Sequence, residues 1–156
     1  MGKRIRAQRK GRSPRYKVSS HRFPGANRLP NVSDEIVEVV ELVHSPVHSA
    51  PLAKLRTDDG SETFVSATSG ISVGQKIAVG GNVSLKPGNV TNLGNIPEGT
   101  PVNNIELRPG DGGKIARSAG NSALIETHLD GTVRIRLPSG KTKVLNSSCR
   151  ATIGVL

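Results

Sequence analysis

The chain has 156 residues, with 22 lysines and arginines against 12 aspartates and glutamates, and a formal net charge of +10. Its single cysteine, Cys149, excludes an internal disulfide and fits a reducing compartment. No apolar run approaches the roughly 20 residues that a membrane-spanning helix needs, so we expect neither a membrane protein nor a disulfide-stapled fold.

The N-terminal arm, residues 1–34, carries the whole excess of positive charge. Ten cations precede the first acid, Asp34, and the other 12 are matched by the 12 acids. Because such an arm repels itself and cannot bury a core, we expect it to be extended and disordered until it binds a polyanion, and nucleic acid is the favoured one. A solubilising tail or a mitochondrial transit peptide is the alternative, although prolines and glycines interrupt any amphipathic helix. The predicted RNA-binding residues of the arm are Lys3, Arg4, Arg6, Arg9, Lys10, Arg12, Arg15, Lys17, His21, Arg22 and Arg28.

Short strands after the arm predict an all-β body. The β-branched run 35–43 favours a strand, and Ala53 and Leu55 alternate with cations as in a half-buried strand. The Asp59-Gly60 turn then returns the chain through 62–67. Strands this short and regular are typical of a small barrel. Further short runs, separated by glycines, lie at 71–73, 76–79 and 83–85.

A segment rich in residues that stop strands, 94–102, separates a second unit, and we place a domain boundary between residues 98 and 99. The charge balance also changes there, from eight acids and four bases in 34–98 to four acids and eight bases in 99–156. We expect the second unit to be a compact, strongly bent barrel of about five strands. Its predicted apolar runs lie at 102–107, 115–118, 122–129, 132–137, 142–145 and 149–155.

The glycine-rich loop 109–113 is the first candidate site. It does not match a P-loop, because Arg108 stands where the first glycine is needed and Ile115 where serine or threonine is needed. Its backbone amides could still cradle a phosphate, with Lys114 and Arg117 beside them, which predicts an RNA contact. A plain turn is the equal alternative.

Catalytic and metal-binding interpretations find little support. His44 and His48 are four residues apart, but Pro46 disfavours the helix on which both could bind one metal ion. A serine–histidine–aspartate triad could be drawn around His128, as in almost any chain of this length. We expect no catalytic residue, no metal site, no cofactor and no small-molecule substrate.

Aromatic side chains are few. Tyr16, Phe23 and Phe64 are the three that the chain has. Because readers of single-stranded RNA stack successive bases on aromatic platforms, we expect this chain to recognise folded RNA through phosphates, 2′-hydroxyls and shape. Phe64 is predicted to lie in the core, whereas Tyr16 and Phe23 could each stack on one exposed base.

Several motifs resemble the large-subunit ribosomal protein family L-two, and the N-terminus is similar to its archaeal and eukaryotic branch. The resemblance covers nearly the whole chain, and the motifs are highly specific together although each alone would be modest. They lie at 1–12, 95–106, 109–120, 137–140 and 149–154.

This resemblance implies a basic N-terminal extension, an OB-fold barrel over 35–98 and an SH3-like barrel over 99–156. It also implies binding to 23S-type ribosomal RNA beside neighbouring large-subunit proteins, in cytoplasmic ribosomes. Support of subunit association and of the peptidyl-transferase region is implied as well. Arg117 matches an RNA-contacting position of the family, and Lys114 and Arg150 are implied contacts by the same motifs.

The chain departs from the family pattern in two places. His48 stands where the family often has arginine, and Glu62-Thr63 lies where it often has basic residues, which weakens the implied RNA contact of the first barrel. Family members also continue beyond residue 156 into a basic C-terminal extension, which holds a histidine near the catalytic centre. We therefore expect this chain to lack that extension, or to be a fragment of a protein that has it.

Two other classes of function stay open. A stand-alone nucleic-acid-binding regulatory module would show the same basic arm. A small hydrolase is disfavoured, because no paired acid, base or metal constellation is present in the sequence.

Overall fold

The computed structural model describes Ile5, residues 23–32 and residues 34–156. This part of the chain is all-β, as predicted from the sequence, and none of its helices is long and apolar enough to cross a membrane. Its strands are β1 (Glu35–Val43), β2 (Leu52–Arg56), β3 (Glu62–Ser66), β4 (Lys76–Val79), β5 (Val90–Asn92), β6 (Pro101–Asn103), β7 (Ala123–Leu129), β8 (Thr132–Arg136), β9 (Thr142–Asn146) and β10 (Arg150–Ile153). A short 3-10 helix, Leu93–Asn95, follows β5.

The strands form one sheet, in the order β3-β2-β1-β4-β5-β10-β6-β7-β8-β9. Neighbouring strands are antiparallel except β4 and β5. β10 pairs with β5 on one side and with β6 on the other, so it joins the two halves of the sheet. The register shifts once between Val39 and Glu41 and once between Ile125 and Thr127, and such bulges bend and twist a strand as barrel-type sheets require.

Two separate apolar cores lie against this sheet. Alternating residues such as Val37 and Val39 of β1 enter the first core, which also takes in Leu29 from the arm and Val90 from β5. Residues from Leu93 to Ile153 build the second core, which includes the buried Cys149. The chain therefore passes from one core to the other between Val90 and Leu93, a few residues before the predicted boundary at 98 and 99. The division into two domains stays a prediction.

Three predicted runs do not form strands. Residues 71–73 run into a turn at Val73 and Gly74 and pair with no strand. Val73 is exposed there. Residues 83–85 also lack strand pairing, and Ile115 makes a single isolated bridge to Ile105. Apolar residues in a sequence show that burial is possible, whereas pairing depends on what the fold places beside them.

Candidate nucleic-acid interface

Four of the predicted RNA-binding residues are described by the structure: Arg28, Lys114, Arg117 and Arg150. All four surround the glycine-rich loop, since Arg28 lines two neighbouring depressions of the surface, one with Lys114 and Arg117 and the other with Arg150. The other predicted contacts lie outside the described residues: Lys3, Arg4, Arg6, Arg9, Lys10, Arg12, Arg15, Lys17, His21 and Arg22.

Residues 27–30, which we call the arm root, are docked between the two halves of the protein. The amide of Arg28 donates to the carbonyl of Phe64 in β3 (2.9 Å), and the amide of Leu29 donates to the carbonyl of Gly112 (2.9 Å). Leu29 itself is 3% exposed and lies in the first core. The arm therefore starts from a fixed position on the body.

Asn27 fixes the same segment through its amide side chain, which is buried. Its Nδ2 donates to the hydroxyl of Ser66, and its Oδ1 accepts from the Ser66 amide (3.2 Å) and from Nδ2 of Asn104 (3.5 Å). Because a buried amide is costly unless its donors and acceptors are used, these contacts select one position for the arm root.

Two of the predicted RNA-binding arginines clamp the arm root. Arg117 donates from Nη2 to the carbonyl of Asn27 (3.0 Å) and from Nη1 to the carbonyl of Gly113 (3.1 Å). Arg150 donates from Nη1 to the carbonyl of Pro30 (2.7 Å). Burial lowers the pKa of the Arg117 guanidinium. Both side chains thus have a structural task, and their predicted contact with RNA stays a prediction.

Glu106 is the buried acid that holds Arg150. Its side chain is 0% exposed and accepts from Nη2 and Nε of Arg150, at 2.8 and 3.2 Å. It also accepts from the amides of Arg150, Gly110 and Gly112. Burial alone would raise the pKa of Glu106, but these hydrogen bonds together outweigh it and keep the pKa below its usual value.

The amides of the glycine-rich loop are consequently already used. Gly110 and Gly112 donate to Glu106, and Gly113 donates to Oδ1 of Asp111 at 3.2 Å. The prediction that these three amides cradle a phosphate is wrong, because they point at carboxylates of the protein itself. Glycine is required at 113, where a β-carbon would lie 2.6 Å from the carbonyl oxygen of Asn104 at a φ of +87°.

A cleft of about 520 Å³ lies beside the arm root, and we call it the stacking cleft. In it the rings of Phe23 and His48 are stacked, with centroids 6.1 Å apart and an angle of 21° between their planes. The hydroxyl of Ser45 lies 2.8 Å from Nδ1 of His48 and orients the imidazole. Burial, and then the positive charge of Arg117, lower the pKa of His48, which favours the neutral imidazole. The cleft is lined by Phe23, Ala26, Asn27, Arg28, Val47, His48, Asp111, Gly113, Lys114 and Arg117.

The positive charge of this cleft comes from side chains at its rim. Arg28 and Lys114 are exposed, and Lys114 lies 3.3 Å from a carboxylate oxygen of Asp111. Burial would raise the pKa of Asp111, but hydrogen bonds from the Gly113 amide and from Lys114 outweigh it and lower the pKa. An exposed pair of this kind leaves the lysine free to exchange its partner for a phosphate.

Residues suggested by catalytic or metal patterns have other tasks. Nε2 of His128 lies 2.8 Å from the carbonyl of Ile96, and the His128 amide donates to Glu98. Cys149 is buried in the second core, and burial raises the pKa of its thiol. Among the residues that the structure describes, no group of three histidines, cysteines or acids could hold a metal ion.

The buried polar residues that hold the site together were not predicted from the sequence. Glu106, Asn27 and Ser45 were not singled out, since nothing in their local sequence marks them as buried. A buried glutamate could have been suspected only from its place in the apolar segment 102–107, next to the loop it organises. Phe64 was predicted to lie in the core, but it is half-buried beside Gly25 and is not among the residues that form either core.

Comparison with known proteins gives one consistent result. The family model described as "Ribosomal Proteins L2, C-terminal domain" matches residues 86–156. "Large ribosomal subunit protein uL2" of Methanococcus vannielii is 45% identical over 163 residues, which cover 100% of this chain and 69% of that relative. The same protein of Methanopyrus kandleri is 45% identical over 163 residues, covering 100% and 67%. That of Archaeoglobus fulgidus is 42% identical over 159 residues, covering 100% and 67%.

Proposed function

Since the chain belongs to the uL2 family of large ribosomal subunit proteins, and is thus a structural component of that subunit, we propose that it binds 23S-type ribosomal RNA through its arm and the stacking cleft. The proposal includes no catalytic step of its own. It assigns the chain the role of fixing the position of folded RNA by contacts to phosphates, which set register and orientation.

The docked arm root is the observation that supports this proposal best. Nine lysines and arginines precede residue 23, and the chain that carries them leaves the body beside Arg28, Lys114 and Arg117. Cations on the body beside residue 23, where this basic sequence joins it, add to the positive charge of the arm. Clustered positive charge of this kind is the electrostatic footprint of a nucleic-acid-binding protein. The docked arm root matters because it keeps the start of the basic arm beside these cations.

The charges on the first half of the sheet support a proposal for a second class of partner, namely proteins. Glu38 and Glu41 are exposed along β1, but the sheet register places Arg56 and Lys76 opposite Glu38 and Lys54 opposite Glu41. The charges of this face are therefore balanced, and it offers phosphates no excess of cations. We propose that this face is turned towards neighbouring large-subunit proteins rather than towards RNA. The finer roles, in cytoplasmic ribosomes, of supporting subunit association and the peptidyl-transferase region are part of the same proposal and rest on membership of the family.

Sedimentation tests the proposal directly. The tagged chain, produced in a methanogen that carries a related uL2, should migrate with large subunits and stay with them through a high-salt wash. A stand-alone regulatory module would instead remain at the top of the gradient or leave the subunits in the wash. The same experiment, repeated with a tagged chain that lacks residues 1–22, would show how much of the retention on large subunits depends on the arm.

A further inference from the structure

We infer that the stacking cleft binds one unpaired RNA nucleotide, with its base against the Phe23–His48 pair and its phosphate beside Arg28 and Lys114. The inference rests on the proposed binding of ribosomal RNA and names the element of RNA structure that this site takes. The cleft, at about 520 Å³, lies within the roughly 300–1,000 Å³ typical of pockets that hold small ligands.

The aromatic pair supplies the surface for the base. Phe23 is 37% exposed, so part of its ring is open to solvent, and it lies nearly parallel to His48. The Ser45 hydroxyl, itself on a buried residue, fixes the direction of the imidazole. A nucleobase presents a flat π-face and stacks on such a pair whatever its identity, which makes the site tolerant of sequence.

The cations at the rim supply the contact for the phosphate. Arg28 and Lys114 are exposed, and Arg117 adds a half-buried positive charge at the wall next to His48. Asp111 is the acid among the described lining residues, and its carboxylate already accepts from the loop amides of Leu107, Arg108 and Gly113. The net charge of the cleft is therefore positive.

A nucleotide is the ligand that uses both parts of the site. Inorganic phosphate or the carboxylate of an acidic peptide would pair with the cations but leave the Phe23 ring exposed to water. An apolar ligand would cover the ring but leave the cations without a counter-charge. An unpaired base and its own phosphate are joined by one ribose, so they match a ring and a cation that line the same cleft.

Equilibrium binding to deproteinised large-subunit rRNA from Methanococcus vannielii tests the inference, with affinities measured over a range of salt concentrations. Phe23→Leu keeps an apolar side chain but removes the ring. It should weaken binding about 5- to 150-fold, the range measured for the loss of one stacked base, with the slope of log K against log salt unchanged. Phe23→Trp should bind as the parent chain does. Lys114→Gln should lower the slope by about one unit, whereas Lys143→Gln, on β9, should change little.

Several outcomes would overturn the inference. If the parent chain binds rRNA and Phe23→Leu binds equally well, the inference about the stacking cleft is refuted and the proposed function still stands. If the parent chain does not bind rRNA, both the inference and the proposed function are refuted. Equal losses for Phe23→Leu and Phe23→Trp, or a slope several units lower in Phe23→Leu, would show that Phe23 merely positions the arm. Ultraviolet crosslinking gives an independent readout: Phe23 or His48 should join to one nucleotide, and crosslinks confined to other residues would contradict the assignment.

Discussion

Replacing Glu106 by glutamine should destabilise the whole protein far more than its single lost charge suggests. The carboxylate is 0% exposed and accepts five hydrogen bonds, from three backbone amides and from Nε and Nη2 of Arg150. In the variant one oxygen becomes an NH₂ group, so a donor faces donors, and the Arg150 guanidinium, 17% exposed, loses its counter-ion. Breaking a buried pair in this way costs about 3–5 kcal/mol.

Urea denaturation of the full chain measures this cost. A domain of ordinary stability has about 5–15 kcal/mol in total, so the variant should unfold at a much lower urea concentration with a similar m-value. Glu126→Gln is the matched control, because it breaks the Arg136–Glu126 pair (2.6 Å), in which Arg136 is 57% exposed. A pair of that kind contributes about 0–1 kcal/mol.

The reasoning would be refuted if Glu106→Gln cost no more than Glu126→Gln. A second comparison removes the remaining ambiguity. If the loss comes from an uncompensated charge, the double variant Glu106→Gln, Arg150→Met should be more stable than Glu106→Gln alone, since the orphaned guanidinium is gone. A double variant that is less stable than either single variant would show that packing, and not the ion pair, was lost.

Three further predictions concern charge. Deleting residues 1–22 should leave the arm root docked and lower the slope of log K against log salt for rRNA binding by roughly 3.5 to 4.5 units if about five of the deleted cations touch phosphates. An unchanged slope would show that the arm makes no RNA contact. Arg117→Glu should weaken rRNA binding about 10- to 150-fold more than Arg134→Glu, the scale of one lost charge-assisted hydrogen bond of about 1.5–3 kcal/mol, with circular dichroism as the check on folding. Arg134 is exposed on a regular strand, and comparable losses would contradict the special role of Arg117. Because the pKa of Glu106 is lower in the folded protein than in the unfolded chain, its contribution to stability should be complete above about pH 4.3 and be lost as the pH falls through the folded value. Unfolding followed between pH 3 and 6 should show this dependence in the parent chain and a flatter one in Glu106→Gln.

The strands that the sequence predicted well are those whose signals are local. β1, β2 and β3 follow from β-branched alternation and from the Asp59-Gly60 turn, where Gly60 has a φ of +78°. β5 was not predicted, because its three residues carry no periodicity of their own. It is a strand because β10, about 60 residues later in the chain, lies beside it.

The candidate site shows the same limit. Clustering of positive charge in the arm and around the glycine-rich loop can be read from composition, whereas the stacking of a base on Phe23, expected from the few aromatic residues, stays a prediction. The partner of Phe23 could not be predicted, since His48 is brought beside it by the docking of the arm root. Nor could the inward direction of the loop amides, which depends on the burial of Glu106.

The position of β10 in the middle of the sheet also has a consequence for biosynthesis. Residues of β10 pair with Asn92, Thr91 and Val90 on one edge and with Asn103 and Val102 on the other. During translation, at about 5–20 residues per second, the nascent chain completes β5 and β6 seconds before their common neighbour emerges. Until then both strands expose unpaired edges that can join another chain. We therefore expect folding to be slow and to end with the insertion of β10, and an assembling ribosome that captures the basic arm early would shorten the time available for mispairing.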